Sequence, residues 1–265
     1  MPRADHPAGW YTSREMVHAE GLVKTFSDKK RGDVHALNGA TFECHPGEIF
    51  GVLGVNGAGK TTLLRILATI IEPTAGSATV AGYDIRTQAQ QVRQSIGFLS
   101  TTTALYGRLT PREMIRYIGG LYGLNGRNLA DRTESVIERL GIGDFADRLC
   151  DKLSTGQKQR VSIARTIVHD PPVIFFDEPT VGLDVVTSRT IIRFIEECRA
   201  QGKTVIFSTH IMSEAERVCD RIAVIHEGRI TACGPLEQLR ATTGETRMEK
   251  VFLALIGIRD EEDSW

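Results

Sequence analysis

The residues best suited to chemistry open with the run Gly54-Val55-Asn56-Gly57-Ala58-Gly59-Lys60-Thr61-Thr62, which satisfies the pattern G-x-x-x-x-G-K-[ST]. In that pattern glycines let backbone N–H groups close around a β-phosphate, a lysine reaches the β/γ-phosphates, and a hydroxyl holds Mg²⁺. The candidate phosphate contacts are Asn56, Gly57, Ala58, Gly59, Lys60, Thr61 and Thr62, with Thr61 also a metal ligand. The bare pattern arises by chance in roughly one chain in a hundred of this length, so its context has to carry weight. The alternative, a glycine-rich turn ahead of a core helix, leaves Lys60 as a charge without an anion to meet it.

Two further clusters bear on the same reaction. Val173-Ile174-Phe175-Phe176 is a continuous apolar run that ends in Asp177-Glu178, and Thr204-Val205-Ile206-Phe207 ends in Ser208-Thr209-His210. Strands buried on both faces of a parallel sheet read this way, and such sheets bind ligands at their carboxyl ends. Asp177 is the expected second protein contact for Mg²⁺. Glu178, expected on the other face of its strand, could accept a proton from water attacking a γ-phosphate. His210 is placed for a polar contact to the same phosphate.

The elements that must position these groups can be read from periodicity. Glu48-Ile49-Phe50-Gly51-Val52-Leu53 predicts a buried strand before the phosphate loop, and residues 62–68 have helical spacing after it. Upstream, residues 16–22 and 34–42 predict two strands in a hairpin-like entry, separated by a charged loop over 27–33; Phe26 lies between them, where an aromatic could stack on a purine. Ser77 to Gly82 and Ile96 to Leu99 predict short strands, with a helix over 88–94 between them. Thr110-Pro111-Arg112-Glu113 and Ser154-Thr155-Gly156-Gln157 are capping boxes that open helices, and a further helix is predicted over 129–140. Gly182-Leu183-Asp184 leads into another helix, closed by Gly202; residues 221–233 predict a strand pair, and the tail a short helix with an acidic end.

Bulk properties bound the function. With 265 residues, the chain can bury one large domain, and 32 Lys+Arg against 33 Asp+Glu gives a net charge of -1, without the basic excess of a protein held by nucleic-acid phosphates. No stretch approaches the ~20 apolar residues that span a bilayer, so a membrane role must run through a partner. The five cysteines form no C-x-x-C pair, as expected of reduced thiols in a cytosolic protein, and residues 1–14 lack an apolar signal-peptide core and read as a flexible lead-in.

Taken together, residues 54–62, Leu153-Ser154-Thr155-Gly156-Gln157, Phe175-Phe176-Asp177-Glu178-Pro179, Gly182-Leu183-Asp184 and Ser208-Thr209-His210, in this order and spacing, resemble the nucleotide-binding cassette of ABC transporters. The resemblance covers about residues 17–230. It implies an α/β fold with a phosphate-loop NTPase core (a mainly parallel, RecA-like sheet), an antiparallel β subdomain and an inserted α-helical subdomain. It also implies ATP and Mg²⁺ as cofactors, ATP hydrolysis coupled to transport, a transmembrane permease as partner, and a place on the cytoplasmic face of the cell membrane. A head-to-tail dimer is implied in which Ser154, Gly156 and Gln157 meet ATP held by the second subunit. A capped helix start is a ready anion site, which agrees. Phe26 becomes the adenine-stacking aromatic, and Asp184 a link between the two sites across the dimer.

The implied parts are an ATPase core with β subdomain over 16–104 and 152–233, a helical subdomain over 105–151 and a C-terminal extension over 234–265. Two departures stand out: Ser100 and Thr101 replace the usual proline–glutamine pair, and Thr155 replaces the signature's first glycine. Without that glutamine to position water, slow hydrolysis by the isolated protein is expected. Residues 96–124 resemble the NatA type, cassettes of sodium-exporting or related export pumps. The competing reading is a cassette ATPase acting on ribosomes or chromosomes; such proteins generally carry paired cassettes or a long coiled coil, and the chain shows neither.

Overall fold

The computed structural model describes residues 15–28, 32–100 and 104–258. In chain order its elements are β1 (Val17–Asp28), β2 (Gly32–Cys44), β3 (Ile49–Leu53), α1 (Lys60–Leu67), β4 (Ala75–Val80), β5 (Tyr83–Asp84), α2 (Ala89–Ser95), β6 (Ile96–Leu99), α3 (Pro111–Leu121) and α4 (Gly126–Arg139). There follow α5 (Thr155–Ile167), β7 (Val173–Asp177), α6 (Val185–Ala200), β8 (Thr204–Thr209), α7 (Met212–Val218), β9 (Arg221–His226), β10 (Arg229–Gly234), α8 (Leu236–Thr243) and α9 (Met248–Leu255).

Two sheets organise these elements. One is antiparallel, in the order β2-β1-β4-β5; the other runs β10-β9-β3-β8-β7-β6, parallel from β9 through β6, with β10 antiparallel at the edge. β3, β7 and β8 are buried at every position, as strands covered on both faces must be. Phe175, Phe176 and Phe207 are among the largest fully buried side chains, each worth roughly 2–3 kcal/mol in burial, which locks the strands that carry Asp177 and His210.

One core lies between β1, β2, α1 and the outer side of the parallel sheet; a second joins its other side to α3, α4, α5 and α6. In a third, Val251 and Phe252 of α9 and Leu239 of α8 pack on Ile222 and Val224 of β9. Both capping boxes form as the sequence predicts: Thr110 with Glu113 opens α3, and Ser154 with Gln157 opens α5.

Several boundaries differ from the sequence reading. β1 and β2 each run into the expected charged loop, with Ser27 and Asp28 paired to Asp33 and Gly32; residues 29–31 of that loop lie outside the described residues. Register shifts around Gly21 broke the alternation that would have shown the full strands. α7 was not anticipated. It has only 7 residues and no side-chain cap, so neither period nor cap announced it. The tail holds two described helices rather than one, and the acidic end over 260–263 lies outside the described residues.

Candidate functional site

The carboxyl ends of β3, β7 and β8 lie side by side, because the register pairs Leu53 with Thr209 and Asp177 with Ser208. β3 delivers the loop that leads into α1; β7 delivers Asp177 and Glu178; β8 delivers His210. A cavity of about 240 Å³ opens there, lined by Ala36, Asn56, Gly57, Gly59, Lys60, Thr61, Thr62 and Glu178. Gly59 is the residue that lets the loop close. Its φ is +110°, and a Cβ there would stand 2.5 Å from the carbonyl oxygen of Ala36, so no other residue fits.

Lys60 is 4% exposed, and each direction of its ammonium is occupied. It donates to the carbonyls of Gly54 at 2.8 Å and Val55 at 3.1 Å, and it pairs with Glu178 Oε1 at 2.9 Å. The same carboxylate oxygen meets His210 Nδ1 at 3.2 Å. Burial pushes the Glu178 carboxyl upward, but the Lys60 contact and the nearby His210 outweigh it and hold it below the ordinary range. The Lys60 ammonium at 2.9 Å is the contact that most favours the charged form of this carboxylate.

The expectation that Glu178 faces away from Asp177 is corrected here. Glu178 has φ +49°, so strand alternation stops at Asp177 and the Glu178 carboxylate turns back toward Lys60. A left-handed glutamate costs about 1–3 kcal/mol, and its amide is fixed by the Ser208 carbonyl and hydroxyl, both at 3.1 Å. Asp177 and Glu178 thus contact Thr61 and Lys60, adjacent residues at the start of α1.

Asp177 is 1% exposed. Its Oδ1 accepts from Thr61 Oγ1 at 3.1 Å and from Ser208 Oγ at 2.8 Å, whereas its Oδ2 is buried with no hydrogen-bond partner. Burial raises this carboxyl's pKa against the lowering effect of the two hydroxyls. An orphaned buried carboxylate oxygen beside a hydroxyl is a costly arrangement unless a cation meets it. A hard divalent ion such as Mg²⁺, taking oxygen ligands from Thr61 and Asp177, fits this donor set. Ser208 appears in the sequence reading only as part of Ser208-Thr209-His210, with no role of its own. Its signal was the β7–β8 register, which pairs it with Asp177.

The remaining candidates do not line the cavity. Phe26, on β1, is 42% exposed with Lys24 Nζ 5.0 Å from its ring; its β2 partner Val34 is two residues from Ala36 of the cavity wall. Ala58 is buried in the loop, and its carbonyl accepts from Gly228. Ser154 Oγ and Gln157 Oε1 are both engaged in capping α5, at 3.3 and 3.0 Å. Asp184 caps α6: its Oδ1 accepts from Thr187 N at 2.9 Å and its Oδ2 from Thr187 Oγ1 at 2.7 Å. Gly156 lies against that same Thr187. Among the described residues, no hydrogen bond joins Ser154, Gly156 or Asp184 to Lys60, Glu178 or His210. Thr101 lies outside the described residues.

Comparison with known proteins agrees with this geometry. The family model described as ABC transporter matches residues 37–181, and one described as AAA domain, putative AbiEii toxin, Type IV TA system, matches 148–216. The chain is 40% identical over 240 residues to the ABC transporter ATP-binding protein NatA of Bacillus subtilis (strain 168), covering 90% of this chain and 97% of that one. It is 36% identical over 226 residues to the daunorubicin resistance ATP-binding protein DrrA3 of Streptomyces coeruleorubidus, covering 85% and 72%. A solved dimeric ATP-binding cassette, in a post-hydrolysis state bound to ADP and Pi, superposes with a TM-score of 0.77 at 27% identity, covering 83% of this chain and 99% of that one. A phosphate loop set against a buried Asp-Glu pair, a capped signature helix after a helical insertion, and this degree of likeness lead to one assignment: the chain belongs to the ABC transporter family, as an ATP-binding and ATP-hydrolysing subunit.

Proposed function

We propose that the chain powers an export permease, with Mg·ATP held at the carboxyl edge of the parallel sheet and a second copy of the chain completing each site. The observation that carries the site reading is the convergence of Lys60, Thr61, Glu178 and the unpartnered Asp177 Oδ2 at that edge. Thr61 and Asp177 would hold Mg²⁺, which, when bound, neutralises charge on the phosphates. Asn56, Gly57, Ala58, Gly59 and Thr62 would offer loop and helix N–H groups to phosphate oxygens.

Lys60 keeps its two carbonyl contacts and trades Glu178 for a γ-phosphate oxygen. That exchange leaves Glu178 Oε1 with His210 alone, free to take a proton from water aimed at the γ-phosphorus. His210 steadies the carboxylate and contacts the γ-phosphate. Phe26 would stack on adenine. Ser154, Gly156 and Gln157 would meet the γ-phosphate on the second subunit, using the exposed N-terminus of α5, and Asp184 would link the two sites. In this reading residues 16–104 and 152–233 form the ATPase core with its β subdomain, 105–151 the helical subdomain and 234–265 a C-terminal extension. The packing of α3 on α4 supports the grouping of those two helices.

The export reading rests on likeness to NatA and to a drug-resistance ATP-binding protein. Among the described residues no helix is long and apolar enough to cross a membrane, so membrane attachment on the cytoplasmic face would run through the permease. Affinity purification of the tagged full chain from solubilised membranes tests this. A multi-span membrane protein co-purifying with the chain, and raising its ATPase rate, is the expected result; ribosomal RNA or DNA in its place would move the chain to the remodelling class.

A further inference from the structure

Next to the Glu178–His210 pair stands a carboxylate that the roles above leave unused. Glu214, in the first turn of α7, accepts two hydroxyl protons with one oxygen: Thr180 Oγ1 lies 2.9 Å and Thr209 Oγ1 3.1 Å from its Oε2. Both threonines are buried, at 3% and 1% exposure. Thr180 stands two residues after Glu178, and Thr209 one residue before His210. While donating to Glu214, the Thr209 hydroxyl accepts from the amide of Ile211 at 2.9 Å, so both flanks of His210 are tied to the Thr209 side chain.

The segment after Glu178 has few other holds. Pro179 has no N–H to donate, Glu178 itself is left-handed, and the hydrogen bonds of Val181 and Leu183 stay within the turn. Its described hydrogen bonds onto other elements are those of Gln159 Nε2, 2.7 Å from the Pro179 carbonyl, and of Thr180 with Glu214, while Leu183 packs against the core. We propose that Glu214 is a positioning residue for hydrolysis: by clamping the segment after β7 to the segment after β8 through Thr180 and Thr209, it fixes the 3.2 Å approach of the Glu178 carboxylate and the His210 ring. The clamp needs an acceptor that takes two hydroxyl protons at once. A carboxylate does this, and an amide oxygen can as well; a methyl group cannot.

The inference rests on Glu178 being the base. Its signature is a split between kcat and KM, because Glu214 touches neither the phosphate loop nor the cavity wall. ATPase kinetics of the full chain and affinity for a fluorescent ATP analogue are measured for Glu214→Ala and Glu214→Gln. A misplaced base commonly costs on the order of ten- to a hundredfold, so Glu214→Ala should lose that much kcat while KM and analogue affinity stay within about threefold. Glu214→Gln should recover most of the rate.

If Glu214→Ala does not fold by thermal melting, the near-isosteric Thr180→Val and Thr209→Val replace it. Each should lower kcat, and the double variant should be no slower than the worse single one. A wild-type kcat in the variants that remove the clamp, a rise in KM in step with the loss of rate, or a glutamine variant as slow as the alanine one would overturn the inference. Glu178→Gln is run alongside to separate the two claims. If it still hydrolyses ATP at the wild-type rate, the base assignment fails and the positioning role falls with it; if it is inactive while Glu214→Ala is fully active, only the positioning role falls.

Discussion

The two halves that an ATP-bound site would bring together are built in opposite ways. At the carboxyl edge of the sheet, Lys60 and Asp177 are nearly inaccessible: Lys60 is paired to Glu178 at the end of β7, and Asp177 to Thr61 of α1, 116 residues back, and to Ser208 of β8. At the start of α5, Ser154 and Thr155 are exposed, and Ser154 and Gln157 bond to each other within one turn. The first half is held by tertiary structure and carries one unmet oxygen, Asp177 Oδ2. The second is complete as local structure and presents its helix N-terminus outward. A site whose phosphate-binding part is preassembled and whose other part is a self-contained, outward-facing helix start suits completion by a second copy of the chain.

The largest expected effect lies in the preassembled half. Lys60→Ala removes the cation from the loop and leaves Glu178 with His210 alone, so affinity for a fluorescent ATP analogue should fall at least about a hundredfold. Unchanged affinity would mean that the loop does not hold the phosphates. Glu178→Gln should cut turnover by about 10²–10⁴ while leaving ATP affinity near wild type. With hydrolysis blocked, a closed dimer should accumulate in size-exclusion chromatography with ATP and Mg²⁺. A variant that stays monomeric at saturating ATP would show either that pairing requires the permease or that Glu178 is not the base.

How far each half was legible in the sequence follows from the same contrast. The capping boxes at Thr110 and Ser154 were readable to the residue, since three-residue spacings decide them. Strand, loop and helix around Lys60 were equally plain, and so were the apolar runs that became β7 and β8. The Lys60–Glu178 pair, the Ser208 contact to Asp177 and the left-handed turn at Glu178 were not readable, because each depends on how distant strands register. Asp184 falls between. Its place at the start of α6 is plain in Gly182-Leu183-Asp184, but its role as the cap lies in the Asp184-x-x-Thr187 spacing, which the sequence reading did not use.

The signature half can be broken without touching the phosphate loop. A Cβ on Gly156 would lie 2.9 Å from Thr187 Oγ1 and 3.0 Å from its Cγ2, and that hydroxyl is already held by Asp184. Gly156→Val should therefore force α5 and α6 apart at a cost of about 1–3 kcal/mol. Analogue affinity in the monomer should hold, while ATP-driven dimer formation in the Glu178→Gln background weakens on the order of tenfold. Equal dimer yield with and without the valine would show that the start of α5 is not part of the interface.

The smallest effect, and the one that separates a local role from a role across the dimer, belongs to Asp184. Hydrogen bonds from the Thr187 amide and hydroxyl hold its carboxyl below the ordinary value of 3.8. A group depressed in this way contributes its stability fully above the unfolded value and loses it as pH falls through the folded one, so the cap should weaken only in acid. Asparagine caps a helix about as well as aspartate and does not titrate, whereas alanine does not cap. If Asp184 acts only as a cap, Asp184→Ala should lower Tm by a small amount at pH 7, Asp184→Asn should keep it, and both variants should leave the ATP dependence of hydrolysis unchanged. If it also links two sites, Asp184→Asn should leave Tm alone and still change the steepness of the rate against ATP concentration, because the charge is lost while the fold is not. Melting curves at pH 7 and well below the ordinary value of 3.8, together with ATPase titrations of both variants, distinguish the two. A wild-type ATP response in Asp184→Asn would confine this residue to the start of α6.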